Sequence, residues 1–250
     1  MDIDVNESKY RMWEIYSEET AGAPLIIRID GNGFHELAAR CDLKKPFDER
    51  FHRAMVNTTQ EIMTNAGLNI SFGHTASDEL SLLFLKDSHL PHRGRIEKIL
   101  SLLSAYATSS FQKHLSKFAQ YDELISFDAR IVKVKILDDV VEYFGWRSLE
   151  SYRNFLNAYA QSLIGKKRCL GMKGEDIVKE LRYKGFDVDG APKWQRYGTV
   201  AHWMFVKKEG YNPITKEAVT VQRKKIATTS IDLTSSQGKK WLRSYIEILQ

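Results

Sequence analysis

Two short stretches hold the residues best placed to do chemistry. Leu25-Ile26-Ile27-Arg28-Ile29-Asp30-Gly31-Asn32-Gly33-Phe34-His35 reads as an apolar strand that runs into an acid and then a glycine turn. Ile70-Ser71-Phe72-Gly73-His74-Thr75-Ala76-Ser77-Asp78-Glu79-Leu80-Ser81-Leu82-Leu83-Phe84 reads as strand, turn and strand, with adjacent acids opening the second strand. The branched aliphatics at 25–29 suit a buried strand. Asp30, at its end, can reach solvent. Gly31 and Gly33 let the backbone bend toward a ligand and aim its N–H groups at phosphate. Two convergent carboxylates beside a backbone carbonyl are hard oxygen ligands that suit Mg²⁺. Two such ions can activate an attacking hydroxyl and stabilise a leaving pyrophosphate. That chemistry needs metal and position more than a protein base. Acids in turns are common, so these residues alone also admit capping roles for Asp30 and Asp78.

Other candidates are less specific. Lys44 and Lys45 precede Pro46, and Arg95 and Lys98 share a helix face at i, i+3. All four are either cations for a triphosphate or solvated surface charges. His35 follows the glycine turn, where it can touch a nucleotide or serve the structure. His89 and His92 flank Pro91 with no cysteine or third histidine nearby, so no zinc site is expected. Gly31-Asn32-Gly33 is too short for a dinucleotide fingerprint, and no P-loop pattern occurs. The tryptophans read mainly as packing, with Trp146 or Trp194 available to stack on a base.

These residues need a frame to bring them together. A helix is predicted over 6–19, a strand over 25–30 and a helix over 48–65, with Asp48 and Glu49 in its first turn. Strands follow at 69–73 and 79–85, a long helix from Arg95 to Phe118, and a strand over 127–137. The order strand-helix-strand-strand-helix-strand is the split βαβ, ferredoxin-like pattern, also the palm of many polymerases and cyclases. The fold class is therefore α+β. A right-handed crossover makes strands one and two parallel, and the hairpin lays strand three antiparallel beside strand one. Topology thus brings Asp30 to Asp78. Helices are predicted within 138–164 and over 174–183, and a turn at Arg196-Tyr197-Gly198. Strands at 199–207 and 219–226 then form a hairpin, before a terminal helix at 239–249. The expected organisation is a palm core over 1–137, with the helical and β-hairpin region 138–250 packed on it.

At 250 residues the chain can bury a full core. No apolar run approaches the 18 or so residues of a membrane span. The acidic start Met1-Asp2-Ile3-Asp4 lacks the apolar segment of a signal peptide. Cys41 and Cys169 have no metal-ligand spacing and read as reduced thiols, so a cytoplasmic protein is expected. A net charge of +5 is weak evidence for a nucleic-acid partner. Its distribution says more. Lys166-Lys167-Arg168, Arg223-Lys224-Lys225 and Lys239-Lys240 all fall in the second half.

Arg28-Ile29-Asp30-Gly31 with Phe34-His35, Lys45-Pro46-Phe47-Asp48, and Ser77-Asp78-Glu79-Leu80-Ser81 together resemble the tRNA-histidine guanylyltransferase family. Arg95 with Lys98, Phe127-Asp128-Ala129-Arg130, Trp146-Arg147, Asn154 and Arg196-Tyr197-Gly198-Thr199-Val200 follow in the same order. The likeness covers roughly residues 8–206 and is tighter in the first half. It implies a palm that works in the reverse, 3′–5′ direction. A nucleotide's 3′-hydroxyl attacks the activated 5′ end of a tRNA, and pyrophosphate leaves. GTP or another NTP is the implied substrate, with ATP for 5′ activation.

The resemblance assigns two Mg²⁺ ions to Asp30, the Gly31 carbonyl and Asp78, supported by Glu79. It assigns the triphosphate to backbone amides of Asn32, Gly33, Phe34 and His35, with Lys45, Arg95 and Lys98. Asp48 would lie near the guanine edge, and Ser77 and Arg28 would position the 5′ end. Arg130, Arg147, Asn154 and Arg196 would face tRNA, as would the run Lys166-Lys167-Arg168. A homotetramer, built as a dimer of dimers, is implied as well. One block departs from the family. Eukaryotic members carry His-Ile-Asn-Asn after Trp-Arg, where this chain has Tyr152-Arg153-Asn154-Phe155, and an expected lysine is Ile177. That departure fits the guanylyltransferase-like branch, which resembles a template-dependent repair polymerase for 5′-truncated tRNAs. The rival readings are a histidine-specific enzyme, a palm-type nucleotide cyclase, and a non-catalytic RNA-binding protein.

Overall fold

A computed structural model of the chain describes residues 7–122, 124–212 and 214–249. The palm is built from β1 (Leu25–Asn32), α2 (Phe34–Arg40), α3 (Glu49–Asn65), β2 (Phe72–Ala76), β3 (Glu79–Phe84), α4 (Ile96–Leu115) and β4 (Ser126–Lys133), after a short α1 (Glu7–Arg11). The second half supplies α5 (Leu137–Ala160), a π-helical turn (Gln161–Gly165), α6 (Lys166–Cys169), α7 (Gly174–Tyr183), α8 (Lys193–Tyr197), β5 (Thr199–Asn212), β6 (Glu217–Thr229) and α9 (Ser236–Leu249). All six strands join one sheet in the order β4-β1-β3-β2-β5-β6. Every neighbouring pair is antiparallel.

The inner order β4-β1-β3-β2 is the expected ferredoxin-like arrangement. Successive side chains of β1 point to opposite faces. Leu25, Ile27 and Ile29 enter the core with Ala54, Met55 and Ile62 of α3 and Ile99, Leu103 and Phe111 of α4. Ile26 enters a second core on the other face, with Phe72, Leu83, and Val140 and Phe144 of α5, and Leu242 and Ile246 of α9. A third cluster joins the far half of α5 to α7 through Phe155, Leu156, Ile177 and Leu181.

Several expected boundaries move. Of the helix predicted over 6–19, only Glu7–Arg11 forms among the described residues; residues 12–18 make turns, and their side chains Trp13, Ile15 and Tyr16 are exposed rather than striped against a core. β2 lies at 72–76 instead of 69–73, because the hairpin closes through the two residues Ser77 and Asp78. Ser77 takes a positive φ of 54° to make that turn. Arg196 and Tyr197 belong to α8, which Gly198 ends. Helix α2 had no counterpart in the sequence reading.

Candidate active site

The sheet register assembles the site. Arg28 lies opposite Ser81 on β3 and Arg130 on β4, and Asp30 lies opposite Glu79 and Asp128. These residues share the face of Ile26, so charge fills one end of a face whose other end is apolar. Asp78 joins from the hairpin, where the Gly31 N–H donates to its carbonyl oxygen at 3.1 Å. Asp30 and Asp78 therefore come together at one end of the sheet.

Helix α5 crosses this face and reads it at matching intervals. Four helical residues advance about 6 Å and two strand residues about 6.7 Å. Tyr143 and Arg147, four apart on α5, accordingly meet Ser81 and Glu79, two apart on β3. The hydroxyls of Tyr143 and Ser81 lie 3.0 Å apart. Arg147 donates from Nε to Glu79 Oε1 at 2.7 Å and from Nη2 to Oε2 at 2.5 Å. Arg28 Nε lies 2.6 Å from the same Oε2, while Arg28 Nη2 donates to Asp30 Oδ2 at 2.9 Å. Arg147 was expected to face tRNA; instead its guanidinium is committed to Glu79. On the neighbouring strand Arg130 pairs with Asp128 at 2.7 Å and remains exposed.

Electrostatics favour a cation here. Burial raises the pKa of Asp78, and the negative charge of Asp30 raises it further. Burial also raises that of Glu79, although Arg147 and Arg28 oppose the shift. Among the described residues no three His, Cys, Asp or Glu side chains converge on a metal-sized site. A divalent ion would rest on two carboxylates and a backbone carbonyl. Asp30 and Asp78 fit it in donor chemistry, because they are hard oxygen donors whose mutual repulsion a dication relieves.

The glycine turn is built for close approach. Gly33 has a φ of 72° and leads into α2, whose first amides lie outside the helix's own hydrogen-bond ladder. A Cβ on Gly31 would sit 2.7 Å from the Phe34 ring. Phe34 itself packs against Phe127, Phe111 and Phe51 with centroids 4.8, 5.1 and 6.1 Å away. Its side chain is thus core, which leaves only its backbone available to a ligand. His35 is exposed on α2, and Lys45 is exposed in the loop before α3. Asp48 caps α3. Its oxygens accept from the amides of Lys44 and Arg50, both at 2.7 Å, and from the Arg50 guanidinium. Burial works against its ionisation, yet these hydrogen bonds prevail and bring its pKa down to about 2. That gives Asp48 a structural task, with no oxygen free for a guanine edge.

The structure does not gather every candidate. Arg95 and Lys98 stand at the start of α4, where Arg95 bridges to Thr20 and donates to the Ser17 carbonyl at 2.7 Å. Those residues lead into the start of β1. Asp30 is five strand residues further on, about 17 Å away. Arg95 is thus tied to the segment that enters β1, at the opposite end of that strand from Asp30. Asn154 and Lys166-Lys167-Arg168 are exposed on α5 and α6, and Arg168 pairs with Glu180 at 3.1 Å. Arg196 stacks over the Tyr197 ring at 5.2 Å. Trp194 lies flat on His52 at 4.2 Å and meets Phe47 edge-on, so both its neighbours are protein. The clamp on Glu79 escaped the sequence reading. Tyr143 and Arg147 have helical spacing, but nothing in the sequence says which strand they meet.

A split βαβ sheet with acids gathered at one end is the palm arrangement that polymerases and cyclases share. The family model described as tRNAHis guanylyltransferase matches residues 7–135. The chain belongs to that family. An uncharacterised protein of Acanthamoeba polyphaga mimivirus is 26% identical over 89% of this chain and 83% of its own. The tRNA(His) guanylyltransferase of Candida glabrata is 29% identical over 70% of this chain and 76% of its own. Among solved structures, a bacterial tRNA(His) guanylyltransferase-like protein in complex with ATP superposes with a TM-score of 0.78 at 21% identity, covering 97% of this chain and 99% of that one. Its complex with GTP gives 0.71 at 21% identity, covering 96% and 98%.

Proposed function

We propose that this chain adds nucleotides to the 5′ end of tRNA in the 3′–5′ direction and selects each by pairing with the opposing strand, restoring 5′-truncated tRNAs. The carrying observation is the use made of Tyr152-Arg153-Asn154-Phe155. Tyr152 stacks on Tyr197 with centroids 5.6 Å apart and planes 15° apart. Phe155 is fully buried and packs with Phe47, Tyr159 and Phe186. Rings committed this way are poor readers of one tRNA's polar features. An A-form acceptor stem is recognised by shape and backbone, which suits many tRNAs. The ATP and GTP complexes of the bacterial relative support nucleoside triphosphates as substrates.

In this reading Asp30, Asp78 and the Gly31 carbonyl would hold two Mg²⁺ ions. Bound there, Mg²⁺ would activate the attacking hydroxyl and stabilise the leaving pyrophosphate. Arg28, beside Asp30, presents a cation to the 5′ phosphate, and Ser77 stands next to Asp78 in the hairpin. The amides of residues 32–35 and Lys45 receive the triphosphate of the incoming nucleotide. Its 3′ oxygen bonds to the 5′ phosphorus of the RNA and loses its proton to solvent, as the bond from that phosphorus to its leaving group breaks: pyrophosphate from a 5′-triphosphate end, or AMP from a 5′-monophosphate that ATP has activated with release of pyrophosphate. A correct base pair holds the 3′-hydroxyl in line, and a small misplacement there costs much rate. ATP activation of a 5′-monophosphate and a homotetramer belong to the same proposal.

The test is a matrix of four NTPs against four template bases in one tRNA lacking its first nucleotide, repeated with a second anticodon. The nucleotide that pairs with the template base should be added in each case. Guanosine added at every template, or activity confined to the histidine anticodon, replaces this reading with the histidine-specific one. Cyclic product without RNA replaces it with a cyclase, and binding without turnover with a non-catalytic protein.

A further inference from the structure

Both oxygens of Glu79 are engaged by guanidinium groups. Oε1 accepts from Arg147 Nε, while Oε2 accepts from Arg147 Nη2 and touches Arg28 Nε. The side chains of Glu79 and Arg147 are 10% and 12% exposed, so water screens this contact little. Arg147 also lies 4.6 Å from the Trp146 ring centre, which covers it from outside. The opposite end of the relay is Arg28 Nη2 on Asp30. Two guanidiniums therefore stand among three carboxylates, Asp30, Asp78 and Glu79. The block keeps one net negative charge, and a single planar fork on α5 sets where Glu79 points.

We propose that Arg147 is a positioning residue for nucleotide transfer: it fixes Glu79, Glu79 fixes Arg28, and Arg28 is thereby held at Asp30. The turnover readout rests on the function proposed above; the charge readout does not. Arg147→Lys keeps the charge and loses the two-pronged contact, whereas Arg147→Met loses both.

The charge readout is Mn²⁺ titration of the full-length protein alone, followed by electron paramagnetic resonance. Arg147→Met leaves the block one charge more negative and should tighten Mn²⁺ binding by at least about threefold. Arg147→Lys should stay within about twofold of wild type. The double variant Glu79→Gln with Arg147→Met restores the net charge and should return the affinity to the wild-type value. The turnover readout is the single-turnover rate at saturating NTP and truncated tRNA, which should fall by about tenfold or more in both single variants. The Kd for tRNA, by filter binding, should hold within about twofold.

A full rate in Arg147→Lys overturns the proposal. So does a lost tRNA affinity with an unchanged saturated rate, which would make Arg147 an RNA contact. If Arg147→Met does not fold, judged by circular dichroism, Arg147→Lys and the double variant decide. If the wild-type chain adds no nucleotide to any RNA, the proposed function fails, while unchanged Mn²⁺ affinity in Arg147→Met would separately overturn the charge coupling.

Discussion

The proposed reaction asks Asp30 and Asp78 to stay ionised, and for Asp78 the fold opposes this. Burial and the charge of Asp30 both disfavour ionised Asp78. Asp78→Asn should therefore abolish nucleotide transfer while leaving the melting temperature unchanged or raised, the trade expected at an active site. Asp30→Ala should be inactive with its fold intact, as judged by circular dichroism. Wild-type-like transfer at saturating Mg²⁺ in either variant, or a collapsed fold in Asp78→Asn, would refute this assignment. That these two acids meet was legible, because each ends or opens an apolar strand and the topology does the rest. The neighbouring roles were not. Phe34 follows the glycine turn in sequence, yet the cost of leaving an aromatic ring in water turns its side chain into the core. Asp48 meets its own helix's amides before it can meet a base.

At the scale of elements, periodicity carried the long pieces. The helices over 49–65, 96–115 and 174–183 and strand β1 fall within a few residues of where apolar spacing put them. Short pieces carry too few residues to show a period, which is why the seven-residue α2 was missed. The shift of β2 has another cause, a hairpin closed by Ser77 at positive φ where glycine is usual. Gly198 is a sharper case. Its φ is 77°, and a Cβ there would lie 2.6 Å from the Thr75 carbonyl oxygen and 2.8 Å from His74 Nε2. It lets α8 stop against β2 so that β5 can pair. Gly198→Ala should cost on the order of 2–4 kcal/mol in urea unfolding. A loss below about 0.5 kcal/mol would mean that β2 and β5 can part there without consequence.

Across the whole molecule, two histidines link the halves and set an acid limit. His74 Nε2 lies 2.9 Å from the Tyr197 carbonyl oxygen, and His52 Nε2 lies 3.2 Å from Thr199 Oγ1. Burial lowers both from an ordinary 6.5 to about 4. The folded state therefore binds fewer protons than the unfolded chain between those values. Their contribution to stability is whole above pH 6.5 and is lost as pH falls toward 4, levelling off below that. His52→Phe keeps a ring on Trp194 and removes one titrating group, so its melting temperature should decline less steeply over this window. An equal decline would mean that His52 charges freely in the fold. The sheet itself is held unevenly. From Leu25 to Asp30, β1 is bonded to a strand on each side, whereas β5 beyond His202 has β6 alone. In deuterated water the amides of β1 should exchange only when the whole domain opens, while those of 204–212 and 217–225 should exchange through local fraying. Asp30 should thus ride on a slow clock, and the hairpin's outer reach on a fast one.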